Sequence, residues 1–288
     1  MPTPPPNAPQ LRLQQDLPRP FVIEPPGLDP KATVSPEEMT FRLTLFGTAI
    51  DRLPYFITTL ERLGSDGMGR DRVPFDVQSI ISRHHAGDEC LFTAGSTTVY
   101  LPKQRLSAER LGLLAGESQE SSDKNQELNG SPSPCPRPLT VTIRFLTPTL
   151  LKTGSGLEAG GRRVAATEVR DRPPFGVIVR RLRDRISSLC AFFGEPWNYP
   201  DFAALGRRAD AVELIDSNTV WLTRRRQSTR TGMSHELSGF VGSAFYRFPD
   251  AQTLATIVPV LKLGEYVHVG KHAPWGNGKI LVQTIGGA

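Results

Sequence analysis

Cysteine is scarce in this chain. The three, Cys90, Cys135 and Cys190, are scattered, odd in number and form no C-x-x-C pair. That spacing argues against a disulfide framework or a zinc site and suits a reducing compartment. Long apolar runs are missing too, and none approaches the ~20 residues that a bilayer-spanning helix needs. The N-terminus, MPTPPPNAPQ, lacks the apolar stretch of a signal peptide. The expectation is a soluble cytoplasmic protein with no membrane contact. No G-x-x-x-x-G-K-[ST] occurs, which excludes a Walker loop, and no G-x-G-x-x-G follows a strand. No metal or cofactor is implied.

What remains is a globular composition, 288 residues with 38% hydrophobic and 22% charged. That length suggests one large or two ordinary domains, with enough apolar residue for a core. The charge is unevenly placed. Residues 139–288 carry 20 Lys and Arg against 12 Asp and Glu, whereas residues 1–138 carry 14 against 17. Most of the cations are Arg, whose planar fork suits phosphate. A compositional habit would also enrich Arg, but it would not sort the charge between halves.

Residues 1–40 are rich in proline and read as extended chain. Residues 41–114 offer a strand (FRLTLFG), a helix over 49–64 closed by Gly64, a strand over 73–81, and a hairpin from ECLFTA and TTVYLP. The helical stripe is Leu53, Phe56, Ile57, Leu60 and Leu63, with Pro54 in the first turn. Residues 115–138 are polar, aperiodic and end in alternate prolines, the pattern of a disordered linker. From 139 on the pattern restarts. LTVTIRFLTPTLL is a strand, and 173–194 is a helix with Ile178, Leu182, Ile186, Leu189 and Phe193 on one face. Arg180, Arg181, Arg183 and Arg185 fall off that face, as its wet side. Two strands, NTVWLTRRRQST and GFVGSAFYRFP, precede a helix over 250–264 with Asp250 as its N-cap, and KILVQTI ends the chain. Strand, helix, strand, strand, helix, strand is the ferredoxin-like order. The fold class is therefore α+β, with residues 139–288 a complete unit that can present a sheet and loops to RNA. Residues 41–114 make a similar but incomplete one.

The segment LKLGEYVHVGKHAPWGNGKI, residues 261–280, resembles the C-terminal glycine-rich signature of the CRISPR-associated endoribonucleases of the Cas six type, in the RAMP superfamily. RPFVIEPPG, FRLTLFGTAIDRLPYFITTLERLGSDGMGRDRVPFDV, VTIRFLTPTLLK and PPFGVIVRRLRDRISSLCAFFGEPW are similar to further stretches of that family, in its order. The resemblance implies two tandem ferredoxin-like units, the first short of a leading strand and helix through a late start, a degenerate domain or an element supplied from elsewhere. It also implies a metal-independent endoribonuclease that cuts precursor CRISPR RNA within its repeats, leaving a 2′,3′-cyclic phosphate. The alternative is a non-catalytic CRISPR RNA-binding subunit of an effector complex. A lower reading is an RNA-binding ferredoxin-like protein outside CRISPR biology.

Such cleavage needs a base, an acid and a cation near the phosphate. The histidines available are His84, His85, His235, His268 and His272. His268 lies inside the signature and either transfers a proton or orders the loop. His272 stands where the family more often has a small residue, beside Lys271. His235 lies near a run of arginines, and His84–His85 read as a turn. The candidates for proton transfer are His268, His272 and His235. Gly270, Gly276 and Gly278 either bring backbone amides to a phosphate or only shape a turn. Lys271 and Lys279 would add charge, as would Arg224, Arg226 and Arg230, with Arg224 and Arg226 on one strand face. A charged edge strand is the plainer account of that arginine run. Trp275 would stack on a base or plug the gap between loop and core.

Overall fold

The computed structural model describes residues 17–26, 38–69, 71–84, 87–107, 139–153, 166–197, 199, 201–227 and 232–285. The expected linker over 115–138 lies outside them. Within the proline-rich segment, β1 (Phe21–Glu24) pairs antiparallel with β2 (Arg42–Leu45). A 3₁₀ turn over Gly47–Arg52 leads into α1 (Leu53–Asp66). Pro54 occupies its first turn, where no intrahelical donor is lost. Leu53 and Ile57 are buried as expected, but Leu63 is exposed and Gly64 does not end the helix. Gly64 is instead a point of close approach. A Cβ there would run into the carbonyl of Phe75, whose own amide donates to the Gly64 carbonyl at 3.1 Å. The stop falls at Gly67, with φ +79°.

Only the end of the strand expected over 73–81 forms one. β3 (Ser79–His84) pairs with β4 (Gly87–Thr93), not with the segment around Tyr100, whose amide makes one bond of 2.9 Å to the Leu91 carbonyl. The hairpin therefore lies one segment earlier than the sequence suggests. Leu53, Ile57, Leu91 and Phe92 form a small core between α1 and this hairpin. β1–β2 and β3–β4 remain separate two-stranded ladders, so these described residues do not make one sheet.

The C-terminal half begins with β5 (Thr140–Thr149), then a short ladder of β6 (Leu151–Lys152) and β7 (Glu168–Val169). α2 (Phe175–Phe193) and α3 (Phe202–Asp210) follow. Next come β8 (Glu213–Leu222), the small hairpin of β9 (Arg225–Gln227) and β10 (Ser234–Glu236), and β11 (Gly239–Arg247). α4 (Ala251–Val267) and β12 (Ile280–Ile285) close the chain. The sheet order is β12-β5-β11-β8, all antiparallel, with α2 between its first two strands in sequence and α4 between its last two. This is the expected split order. The short α3 is an addition to it, started by Asp201, whose carboxylate accepts from the amides of Ala203 and Ala204 at 2.8 Å each.

One core joins sheet and helices. Ile143 and Phe145 of β5, Tyr246 of β11, Ile178 and Leu182 of α2, and Ile257 and Leu261 of α4 are all buried in it. The Tyr246 hydroxyl donates to the Pro173 carbonyl at 2.8 Å, which satisfies the one polar atom of that ring and pins the start of α2. Asp250 caps α4 as expected, through the Thr253 amide at 2.6 Å. α4 continues past Gly264 to Val267, because Leu182 and Ile280 pack directly on that glycine. Arg185 departs from its expected wet face. Its Nε donates to the Val267 carbonyl at 2.5 Å, closing the last turn of α4, and burial lowers its pKa to about 10. No described helix is long and apolar enough to cross a membrane.

Candidate functional site

The stretch from α4 to β12 is held from inside by the end of β5. The Thr147 hydroxyl donates to the Gly276 carbonyl at 2.8 Å and accepts from the Lys279 amide at 2.9 Å. The amides of Gly278 and Lys271 donate to the carbonyls of Pro148 and Leu150, both at 3.1 Å, and the Val269 amide donates to Gly278 at 2.9 Å. The chain takes positive φ at His268, Gly270, His272, Gly276 and Gly278. The glycines face other backbone. A Cβ at Gly270 would sit 2.5 Å from the Leu150 carbonyl oxygen, one at Gly276 2.6 Å from that of Ile23, and one at Gly278 would run into that of Val269. Of the two sequence readings, the loop geometry therefore matches turn and close packing. The amides of Val269, Lys271, Trp275, Gly276, Gly278 and Lys279 are spent on protein acceptors.

His268 is fully buried, and its backbone, at φ +61° and ψ 163°, lies in a region that non-glycine residues avoid at a cost of about 1–3 kcal/mol. Its ring explains why it stays there. Nδ1 lies 3.0 Å from the Asn277 carbonyl, and Nε2 lies 3.2 Å from Oε1 of Glu24 on β1. The same Oε1 accepts from Lys279 Nζ at 2.7 Å, and Lys279 also donates to the Glu265 carbonyl at 2.8 Å. Burial alone would raise the Glu24 pKa, but hydrogen bonds from His268 and Lys279 and the Lys279 charge outweigh it and hold the carboxyl at about 2. For His268, burial outweighs the pull of Glu24 and lowers the pKa below the usual histidine value. Neither ring nitrogen is open to solvent, and the Lys279 ammonium is spent inside. The sequence placed His268 among proton-transfer groups and Lys279 among RNA contacts. The geometry makes both of them parts of a clasp between the proline-rich strand and the loop. Glu24 was absent from that reading. Its one signal is a lone acid ending an apolar strand, and its partners lie 244 and 255 residues away.

Lys271 and His272 are left at the loop's outer edge. They line a small pocket together with Leu150, Lys152, Glu168, Trp221, Glu236 and Ser238. The His272 ring stacks on Trp275, nearly parallel at 5°, with centroids 5.2 Å apart, and the Arg19 guanidinium sits 5.7 Å from the Trp275 ring. Glu236 of β10 and Ser238 line it on the side of the β9–β10 hairpin, and that side is tied to the loop by Asn277, whose amide donates to the Leu237 carbonyl at 3.3 Å. Arg224 is exposed on this side, its amide donating to Ser238 Oγ at 3.1 Å. It lies in no strand, because β8 ends at Leu222 and β9 begins at Arg225. Arg226 and His235 are opposite each other in the ladder, but their side chains lie outside the described residues, as does that of His84. Arg230 and His85 lie wholly outside them. Among the described residues, no group of three or more His, Cys, Asp or Glu is placed to hold a metal.

Two family models match the chain. Residues 143–280 match the CRISPR-associated endoribonuclease Cas6 model, and residues 1–109 match one described as an N-terminal domain. No curated protein matches in sequence. Among solved structures, a Thermus thermophilus Cas6 in a product complex is 19% identical over 96% of this chain and 86% of its own, with a TM-score of 0.52. A second Cas6 product complex is 16% identical over 96% and 87%, with a TM-score of 0.50. A partial Cas6-RT-Cas1–Cas2 complex is 15% identical over 96% of this chain and 40% of its own, also at 0.50. These likenesses establish a shared fold and, through the loop and the sheet that carries it, the resemblance of this chain to the CRISPR-associated endoribonuclease Cas6 family over residues 143–280.

Proposed function

We propose that this chain binds precursor CRISPR RNA and cleaves it within the repeats without a metal ion. The observation that carries the reading is the meeting of Lys271 and His272 with the β9–β10 wall at one pocket, inside the region that matches the Cas6 model. In this reading His272 takes the proton of a 2′-OH, whose oxygen attacks the adjacent phosphorus. Lys271 steadies the charge gathered on the phosphorane, the P–O5′ bond breaks, and a proton reaches the departing 5′-oxygen. The products are a 2′,3′-cyclic phosphate and a 5′-hydroxyl. Lys271 has no ion pair among the described residues, so its ammonium is available to a phosphate. His268 serves as a positioning residue, through the clasp. The N-terminal part acts through Glu24 of β1, which braces the glycine loop. A neighbour of the same fold sits in a Cas6-RT-Cas1–Cas2 complex, which supports a reading in which this chain, too, works within a larger assembly.

The test is single-turnover cleavage of an end-labelled repeat RNA in EDTA. Wild-type chain should cut at one position, and His272→Ala should slow cutting roughly 10²–10⁴-fold with affinity nearly intact. If the chain binds the repeat tightly and never cuts, the enzyme reading fails and a non-catalytic RNA-binding subunit stands in its place.

A further inference from the structure

We infer that the pocket between the glycine loop and the β9–β10 hairpin is a single-nucleotide subsite selecting guanine, with Glu236 as the residue that reads the base. The inference rests on the RNA-binding reading above and adds a specificity to it.

The starting point is a charge in the wrong place for a plain phosphate grip. The wall that carries Arg224 and Arg225 also presents Glu236 to the pocket. The other acid there, Glu168, is neutralised by Lys152 at 3.3 Å. Glu236 is exposed and has neither an ion pair nor a hydrogen bond among the described residues. A carboxylate lining the same pocket as Lys271 weakens the hold on a phosphate, yet it is a strong acceptor for the amino and imino groups of a base. Guanine is the one common RNA base whose Watson–Crick edge offers two adjacent donors, N1–H and the 2-amino group. Those two match the two oxygens of one carboxylate. Adenine, cytosine and uracil each offer one donor group on that edge.

The rest of the pocket suits a base. Leu150 and Trp221 give it apolar surface, and an indole ring can stack on a base. At about 180 Å³ it falls below the ~300–1,000 Å³ of ordinary small-ligand sites. That is space for a base and not for a duplex, and single-stranded bases splayed from their stack are what proteins read in RNA. The backbone that follows the reading group is anchored. Ser238, two residues on, is buried with Oγ bonded to the Arg224 amide, and Leu237 is bonded through its amide to Arg224 at 2.8 Å and through its carbonyl to Asn277.

The test uses the full chain with short oligouridylates carrying one internal guanosine, adenosine or cytidine, and compares affinities with the all-uridine strand. The guanosine strand should bind roughly 5- to 150-fold more tightly than the others, the range of one good bidentate base contact. Glu236→Gln keeps the size of the side chain at an exposed position. It should abolish most of that preference while leaving affinity for all-uridine RNA within a few-fold. Equal affinity for all four strands would overturn the inference while leaving RNA binding itself intact. So would an E236Q protein that binds every strand more tightly by the same factor, since the carboxylate would then only repel. Absence of binding to any strand would sink the RNA reading, and this inference with it.

Discussion

Replacing Glu24 by Gln removes one negative charge from the buried clasp and keeps its shape. Glu24 is 3% exposed, and its carboxyl is held at about 2 against an ordinary value of 4.5. The difference corresponds to roughly 3 kcal/mol of folding stability at neutral pH. Leaving the ammonium of Lys279 buried without its counter-charge gives a cost of similar size, about 3–5 kcal/mol. Because the folded pKa lies below the unfolded one, this stability is complete above pH 4.5 and drains away as pH falls toward 2. Burial lowers the His268 pKa as well, so protonation of that ring also works against the fold as pH drops below its ordinary value of 6.5. Denaturant unfolding of the whole chain, followed by circular dichroism at a series of pH values, separates the two. E24Q should be about 3 kcal/mol less stable than wild type at pH 7, and the gap should narrow between pH 4.5 and 2. A gap below ~0.5 kcal/mol at pH 7, or one that does not change with pH, would show that the clasp carries no net stability.

Gly278→Ala should destabilise by ~1–2 kcal/mol from its φ of +72° alone, and by more from the clash with Val269, which a thermal melt would register. Gly69, with φ +82° and open space around its Cβ position, is the control that isolates the conformational part. Tyr246→Phe should cost about 1 kcal/mol in denaturant unfolding, because the Pro173 carbonyl loses its donor inside the core. Lys271→Ala should lower RNA affinity and flatten the slope of log K against log salt by ~0.7, the contribution of one single-strand phosphate contact. An unchanged slope would place the RNA backbone elsewhere.

Local pattern was enough for the elements whose physics is local. The apolar period of α2 and the Asp250 cap of α4 each follow from a few neighbouring residues, and the split order of the C-terminal half follows from such elements in turn. Lys271 and His272 stood out for the same reason, as polar residues among glycines. The errors arose where a distant contact overruled a local rule. Gly64 and Gly264 read as helix stops, but each is a contact point for another segment, so the helix runs on. Arg185 read as a wet residue until the end of α4 was placed beside it. For His268 the sequence leaves two readings, proton transfer or ordering of the loop, and its contact with Glu24 from the other end of the chain, shared by Lys279, exists only in the folded structure. Sequence spacing records which groups are present. Which of them stay free for a ligand is decided when strands far apart in the chain compete for the same donors, and that competition exists only in the folded structure.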